Sequence, residues 1–168
     1  MSMSNGNPIR AIYYHGEIVN EGAEGYGTMK FSNGVEFTGM FNDDAPDGPG
    51  VLTNPDGTMF VGNVSGLSPH GFGVMFHKKT GVGDQPFSLG NFVNGVADGF
   101  QITLSEIHRT ARKDIVEIIN GVVSGKGMRT SIGPGTPNPI VPHIFEMVDG
   151  EPVFSKEDLF KFEIPSDD

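Results

Sequence analysis

The stretch "FTGMFNDDAPDGPGVLTNPDG", residues 37–57, crowds Gly, Pro and Asp together yet keeps the apolar pairs Met40-Phe41 and Val51-Leu52 between the breaks. Each of these breakers favours a turn for its own reason: glycine admits positive φ, proline presets φ, and aspartate bonds its own backbone. One elaborate turn would account for them, but the pattern recurs. "YHGEIVNEGAEGYGTMKFSNG" (14–34) and "FVGNVSGLSPHGFGVMFHKKT" (60–80) align with it without a gap, Tyr14 falling on Phe37 and Phe37 on Phe60 at one constant shift. Glycines coincide at Gly16, Gly39 and Gly62, at Gly25, Gly48 and Gly71, and at Gly27, Gly50 and Gly73. A fixed short period is the mark of a repeat architecture and outranks any local reading.

Two weaker copies follow. "FSLGNFVNGVADGFQITL" (87–104) keeps Gly90 and Gly99, but the step from Gly62 to Gly90 is longer than the one from Gly39 to Gly62, which implies an insertion around Gly81 to Gln85. "VEIINGVVSGKGM" (116–128) lies on 90–102, with Asn120-Gly121 on Asn94-Gly95, but lacks the leading glycine.

Within a repeat the order aromatic, x, Gly, x, apolar (Tyr14-Gly16-Ile18, Phe37-Gly39-Phe41, Phe60-Gly62-Val64) puts all three on one face of a strand. The Gly-x-Gly half alternates as well, before Asn33-Gly34, a two-residue turn signal. Each repeat therefore reads as a hairpin with a polar loop. A lone hairpin is marginal in water, so the stack is the folding unit. Glycine on the face that carries the aromatics suggests a ring lying over bare backbone.

These residues resemble the MORN (membrane occupation and recognition nexus) repeat: the aromatic-x-Gly-x-apolar opening, the Gly-x-Gly and the closing Asn/Asp-Gly. His70-Gly71-Phe72-Gly73 is the closest local match to that family's His-Gly-x-Gly. The family's frequent tryptophan is absent, with Ile18, Phe41, Val64 and Phe92 in its place. The expected fold is all-β: consecutive antiparallel hairpins forming one elongated, twisted sheet, closed by a short C-terminal helix. The expected organisation is an N-terminal extension (1–12), four MORN-like repeats (13–104), a degenerate fifth (105–130), and a Pro-rich connection with a capping segment (131–168).

Composition narrows the function. Net charge is -10, from 11 basic and 21 acidic residues, spread over both halves. That disfavours nucleic acid and anionic membrane surfaces, which need clustered Lys and Arg. With no cysteine there is no disulfide or thiol chemistry. No signal-peptide pattern and no long apolar run is present, so a cytoplasmic protein is expected.

The last third is read more coarsely. "LSEIHRTARKDIVEIING" (104–121) fits either a helix capped at Ser105 or two strands, with the β-branched run from Ile115 favouring strands and "SEIHRTARKD" as the loop between them. Pro134, Pro137, Pro139 and Pro142 make 131–145 an extended connection. Ser155 with Asp158, then Leu159, Phe160 and Phe162, reads as the capping helix.

Candidate chemistry is sparse. The five histidines show no metal-ligand spacing, and Asp43, Asp44 and Asp47 lack a calcium-loop pattern. No metal, cofactor or catalytic residue is expected, and the balance leans against an enzyme. The favoured reading is a non-catalytic interaction module that takes a protein or peptide partner, basic or amphipathic, on an aromatic-lined face bearing Tyr14, Phe37, Phe60, Phe87, Phe41 and Phe92. Open strand edges allow a homodimer. The alternative is a small-ligand protein or enzyme whose C-terminal segment closes a pocket with His143, Glu146 or the Arg109 and Arg112 cluster.

Overall fold

The computed structural model describes residues 3–4, 7–79, 85–107, 110–132, 143–149 and 151–154. A two-residue ladder, β1 (Met3–Ser4) with β2 (Asn7–Pro8), precedes the main body. That body is one sheet of 12 antiparallel strands in sequence order. Its strands are β3 (Ala11–Val19), β4 (Gly22–Phe31), β5 (Glu36–Asn42), β6 (Ala45–Thr53), β7 (Met59–Ser65), β8 (Ser68–Phe76), β9 (Phe87–Val93), β10 (Val96–Ile107), β11 (Thr110–Ile119), β12 (Val122–Ile132), β13 (His143–Val148) and β14 (Glu151–Phe154). The all-β expectation holds; the capping helix lies outside the described residues.

Each repeat is a hairpin, closed more tightly than a polar loop would close it. Asn20-Glu21, Asp43-Asp44, Asn94-Gly95 and Asn120-Gly121 have positive φ at both positions, the backbone of a two-residue turn that matches strand twist. The alignment of Asn120-Gly121 on Asn94-Gly95 thus reflects shared conformation. Asn33-Gly34, read as a two-residue turn, belongs instead to a three-residue loop between repeats. Phe31 donates its N–H to the Val35 carbonyl, and Gly34, at φ +84, donates to the Phe31 carbonyl. The arrangement recurs one repeat later at Asn54, Gly57 and Thr58. Gly34 and Gly57 hold the left-handed position that closes this loop.

One row crosses the whole sheet. Gly16, Gly27, Gly39, Gly50, Gly62, Gly73 and Gly90 pair in succession, strand to strand. Gln101, Val116, Gly127, Phe145 and Phe154 continue it. The aromatic two residues before the first glycine of each of the first three hairpins lies over both glycines of that hairpin. A Cβ on Gly39 would sit 2.6 Å from Phe37 Cζ, one on Gly62 2.8 Å from Phe60 Cζ, and one on Gly27 2.7 Å from the Tyr14 hydroxyl. The rings need a floor with no side chains, and the paired backbone crowds the same space, with the Phe72 carbonyl oxygen 2.6 Å from a Cβ on Gly62; both keep these positions glycine.

Two expectations about the last third change. "SEIHRTARKD" is no ten-residue loop: β10 runs to Ile107 and β11 starts at Thr110, in register from Gly99↔Ile118 to Ile107↔Thr110. Its alternation of small, polar and apolar residues suits a two-sided strand as well as a loop, so charge was a poor guide. Residues 143–154, read as connection and cap, form the hairpin β13–β14 instead. The Asp149-Gly150 pair between two apolar stretches is the turn signal that marks it. Most of the insertion expected around Gly81 lies outside the described residues.

Gly50→Ala should cost about 1–3 kcal/mol, as overpacking does. A Cβ there would meet both the Phe37 ring and, at 2.7 Å, the Thr38 carbonyl oxygen. In a Phe37→Leu background the same change should cost less, by the ring's share; equal costs in paired urea titrations would refute that. A second expectation concerns pH. Asp56 accepts the Thr58 N–H at 2.9 Å and the Thr58 hydroxyl at 2.7 Å. These bonds, backbone first, hold its carboxyl below the ordinary value of 3.8. A lowered folded pKa gives stability that is present above 3.8 and lost as pH falls through the lowered value. Asp56→Asn should flatten that acid-side loss in urea midpoints measured against pH.

Candidate interaction surface

The sheet has a ring face and an opposite, outer face. On the ring face Phe37 and Phe60 are fully buried, and Phe41 and Phe92 nearly so. Two rings also grip the next repeat: Tyr14 meets Phe41 edge-on at 5.2 Å, and Phe60 meets Phe92 at 5.1 Å. Tyr14 is half-buried and donates its hydroxyl to the Glu17 carbonyl at 2.7 Å. Partial burial, then the carboxylates of Glu17, Glu24 and Asp44, push its phenol upward. Of the six aromatics expected to line a binding face, four are therefore core.

Phe87 is on the other face. The register sets Ser88, not Phe87, in the row with Met75 and Phe60, while Phe87 pairs with Phe76, their ring centres 6.4 Å apart. Counting back two residues from Gly90 gives Ser88, a signal the spacing already contained.

That serine has a compensating partner. With no ring to cover Gly90, the Gln101 side chain fills the space, and its amide donates to the Asn91 carbonyl at 2.7 Å. Gln101 stands where the Gly-x-Gly pattern puts its second glycine, so loss of the ring and gain of a side chain go together. One repeat further, Asp114 is 4% exposed, at the aromatic's place. Arg129 grips it bidentately at 3.0 and 3.1 Å, and Arg112 Nε lies 3.0 Å from its second oxygen. The Arg129 guanidinium also lies over the rings of Phe145 and Phe154, at 5.0 and 5.3 Å. This is a buried carboxylate held by two partly exposed arginines, one of them under aromatic rings, and sequence reading missed it because Asp114 and Arg129 are far apart along the chain and meet only through strand pairing.

Among the described residues, two of the groups named for a pocket, His143 and Glu146, lie on opposite faces of the sheet. His143 is in the row of Arg129 on the ring face, whereas Glu146 sits one position off the Phe145 row, on the outer face. Arg112 is committed to Asp114, and Arg109 is outside the described residues. A shallow cavity of about 360 Å³ is lined by residues 19–24 with Asp43 and Asp44. The Asp44 carboxylate there accepts the Ala23 N–H at 2.7 Å. Among the described residues no group of three or more His, Cys, Asp or Glu side chains could hold a metal ion.

The outer face is where exposed apolar surface collects. The middle residue of each Gly-x-Gly points there: Tyr26, Pro49, Phe72 and, in the Gly-Phe-Gln variant, Phe100. Phe72 is 64% and Phe100 70% exposed. Beside them runs a second row, Val51, Val61, Val74, Leu89, Ile102, Ile115, Met128 and Ile144, paired strand to strand.

The family model of the MORN repeat matches residues 14–36 and 37–59. The chain thus carries two MORN repeats there, and each matched segment is as long as the step from Gly16 to Gly39, the period of the hairpins. Such repeats generally mediate protein or membrane-lipid interactions. No curated protein sequence matches the chain significantly.

Replacing Asp114 by Ala should cost about 1–3 kcal/mol, because Arg129, 19% exposed, loses its counter-charge while Arg112, 32% exposed, is partly served by water. A loss under about 1 kcal/mol in chemical denaturation would mean that water already serves those arginines.

Proposed function

We propose that this MORN-repeat chain is a non-catalytic interaction module that holds a protein partner against the outer face of its sheet. The observation that carries the reading is the pair of parallel rows there: exposed aromatics from the Gly-x-Gly middles beside a continuous aliphatic row. A contiguous exposed apolar patch on a folded protein is a mark of an interaction site. Aromatic anchors are the residue types that dominate binding energy at interfaces. Strand spacing sets Phe72 and Phe100 about 10 Å apart and Tyr26 about 19 Å from Phe72. A partner of matching shape would bring apolar side chains at that spacing.

Charge argues for protein over lipid. At -10 the chain repels an anionic bilayer and favours a partner with basic groups around its apolar contact. The ring-face aromatics act through the fold: by filling the stack they hold the outer rows in register.

The test compares proteins retained from cell extract by the immobilised chain and by the double variant Phe72→Asp/Phe100→Asp. Both positions are exposed, so the variant should melt within about 0.5 kcal/mol of the parent. A partner kept by the parent and depleted at least about tenfold on the variant supports the reading, as loss of anchor residues would do. Equal retention by both, or flotation of the parent with anionic vesicles at physiological salt, would sink it.

A further inference from the structure

The opening strand of every repeat but the first is paired on both sides. β5, β7 and β9 each meet the closing strand of the preceding repeat along an unbulged ladder: Gly25–Lys30 against Phe41–Glu36, Asp47–Thr53 against Ser65–Met59, and Gly71–Phe76 against Phe92–Phe87. β3 is the same kind of strand, and among the described residues it pairs with β4 alone. It is nine residues long, contains neither Pro nor Lys, has a single carboxylate, Glu17, and is exposed at every position except Tyr14. Natural sheets usually guard an edge of that length with charge, proline or a covering element.

A second observation points to what is missing. Two residues after the first glycine of the hairpin, Phe41, Val64 and Phe92 are 3%, 2% and 3% exposed. Phe41 and Phe92 are each covered by an aromatic ring of the preceding repeat. Ile18 holds the same position in the first repeat and is 65% exposed. It is a core residue without its neighbour.

We propose that the neighbour is β3 of a second copy of this chain, antiparallel, with the two-fold axis at Gly16. This register sets Gly16 on Gly16, Tyr14 opposite Ile18, His15 opposite Glu17 and Tyr13 opposite Val19. It continues the glycine row, which pairs Gly with Gly at all six junctions from β3 to β9. It sets Tyr14 of one copy directly opposite Ile18 of the other, close enough for the two side chains to touch. It also opposes histidine to carboxylate, whereas an axis at His15 would face histidine with histidine. A slip of one residue would send Ile18 to the other face.

Such a pairing is isologous and closes at two copies. Among the described residues the other edge is β14, which has four residues and includes Glu151 and Pro152. The dimer joins two sheets into one and leaves both outer faces free, so it stands or falls independently of the outer-face reading.

Light scattering behind size exclusion should give twice the 18.0 kDa of one chain for the parent, and 18.0 kDa for Ile18→Lys, whose charge guards the edge. A monomeric parent at every concentration, or a ladder of growing masses from β3 meeting β14, would overturn the proposal. The absence of native cysteine allows a second test in which folding is not at stake. His15→Cys and Glu17→Cys chains, oxidised together, should yield a disulfide-linked dimer, and neither should link alone. Directly opposed residues are within disulfide reach, whereas diagonal ones, about 7–8 Å apart, are beyond it. Self-linking of His15→Cys alone would move the axis and refute this register.

Discussion

A benzene ring laid across two paired glycines is the contact on which this protein depends. Phe37 over Gly39 and Gly50, and Phe60 over Gly62 and Gly73, let the ring face close on itself although no helix packs on it among the described residues. Glycine inside a strand weakens it, through chain entropy and the lack of a packing side chain. Here the ring takes the space that a side chain would fill, and its burial offsets the cost. The edge-on contact of Tyr14 with Phe41 then carries the same packing from one repeat to the next. Stability in such an array is shared between units and their junctions, so no hairpin need be stable alone.

The economy of that device has a consequence for the surface. A single-layer sheet must present its second face to solvent or to a partner. Alternation along each strand sends the middle residue of every Gly-x-Gly outward, so the strand that supplies the bare floor also displays Tyr26 or Phe72. Floor and display come from one tripeptide. The fold and the proposed binding surface are therefore encoded by the same short motif and would vary together.

Much of this was legible in the residues. The constant shift, the alternation and the coincident glycines pointed to hairpins, their order and the ring-on-glycine idea, because each is a local rule repeated. Which aromatics are exposed was not legible: a sequence shows that Phe37 and Phe72 are both aromatic, whereas only register reveals that one is fully buried and the other 64% exposed. Phe87 misled for a related reason. It is aromatic at nearly the right place, and the inserted residues before it blurred a count that Ser88 satisfies. Asp114 with Arg129 and Gln101 over Gly90 were invisible because they replace the rule with a different solution, joined only by strand pairing. The hairpin at 143–154 is hard to read because its strands are only 6 and 4 residues long and follow a run of prolines.

The tight turns carry one more lesson. Asp44 donates its N–H to the Ala23 carbonyl, Gly66 to Pro46, Gly95 to Pro69 and Gly121 to Ala97. At these four joints the second residue of one closing strand accepts from the next repeat's bend, and the joint is chemically the same each time even where the interior changes from rings to ions. A block bounded by such joints can be duplicated or excised without any new fit being invented. Each added block would lengthen the sheet by two strand spacings, about 9–10 Å. Reach, in a molecule of this kind, is a quantity that gene duplication can adjust in fixed steps.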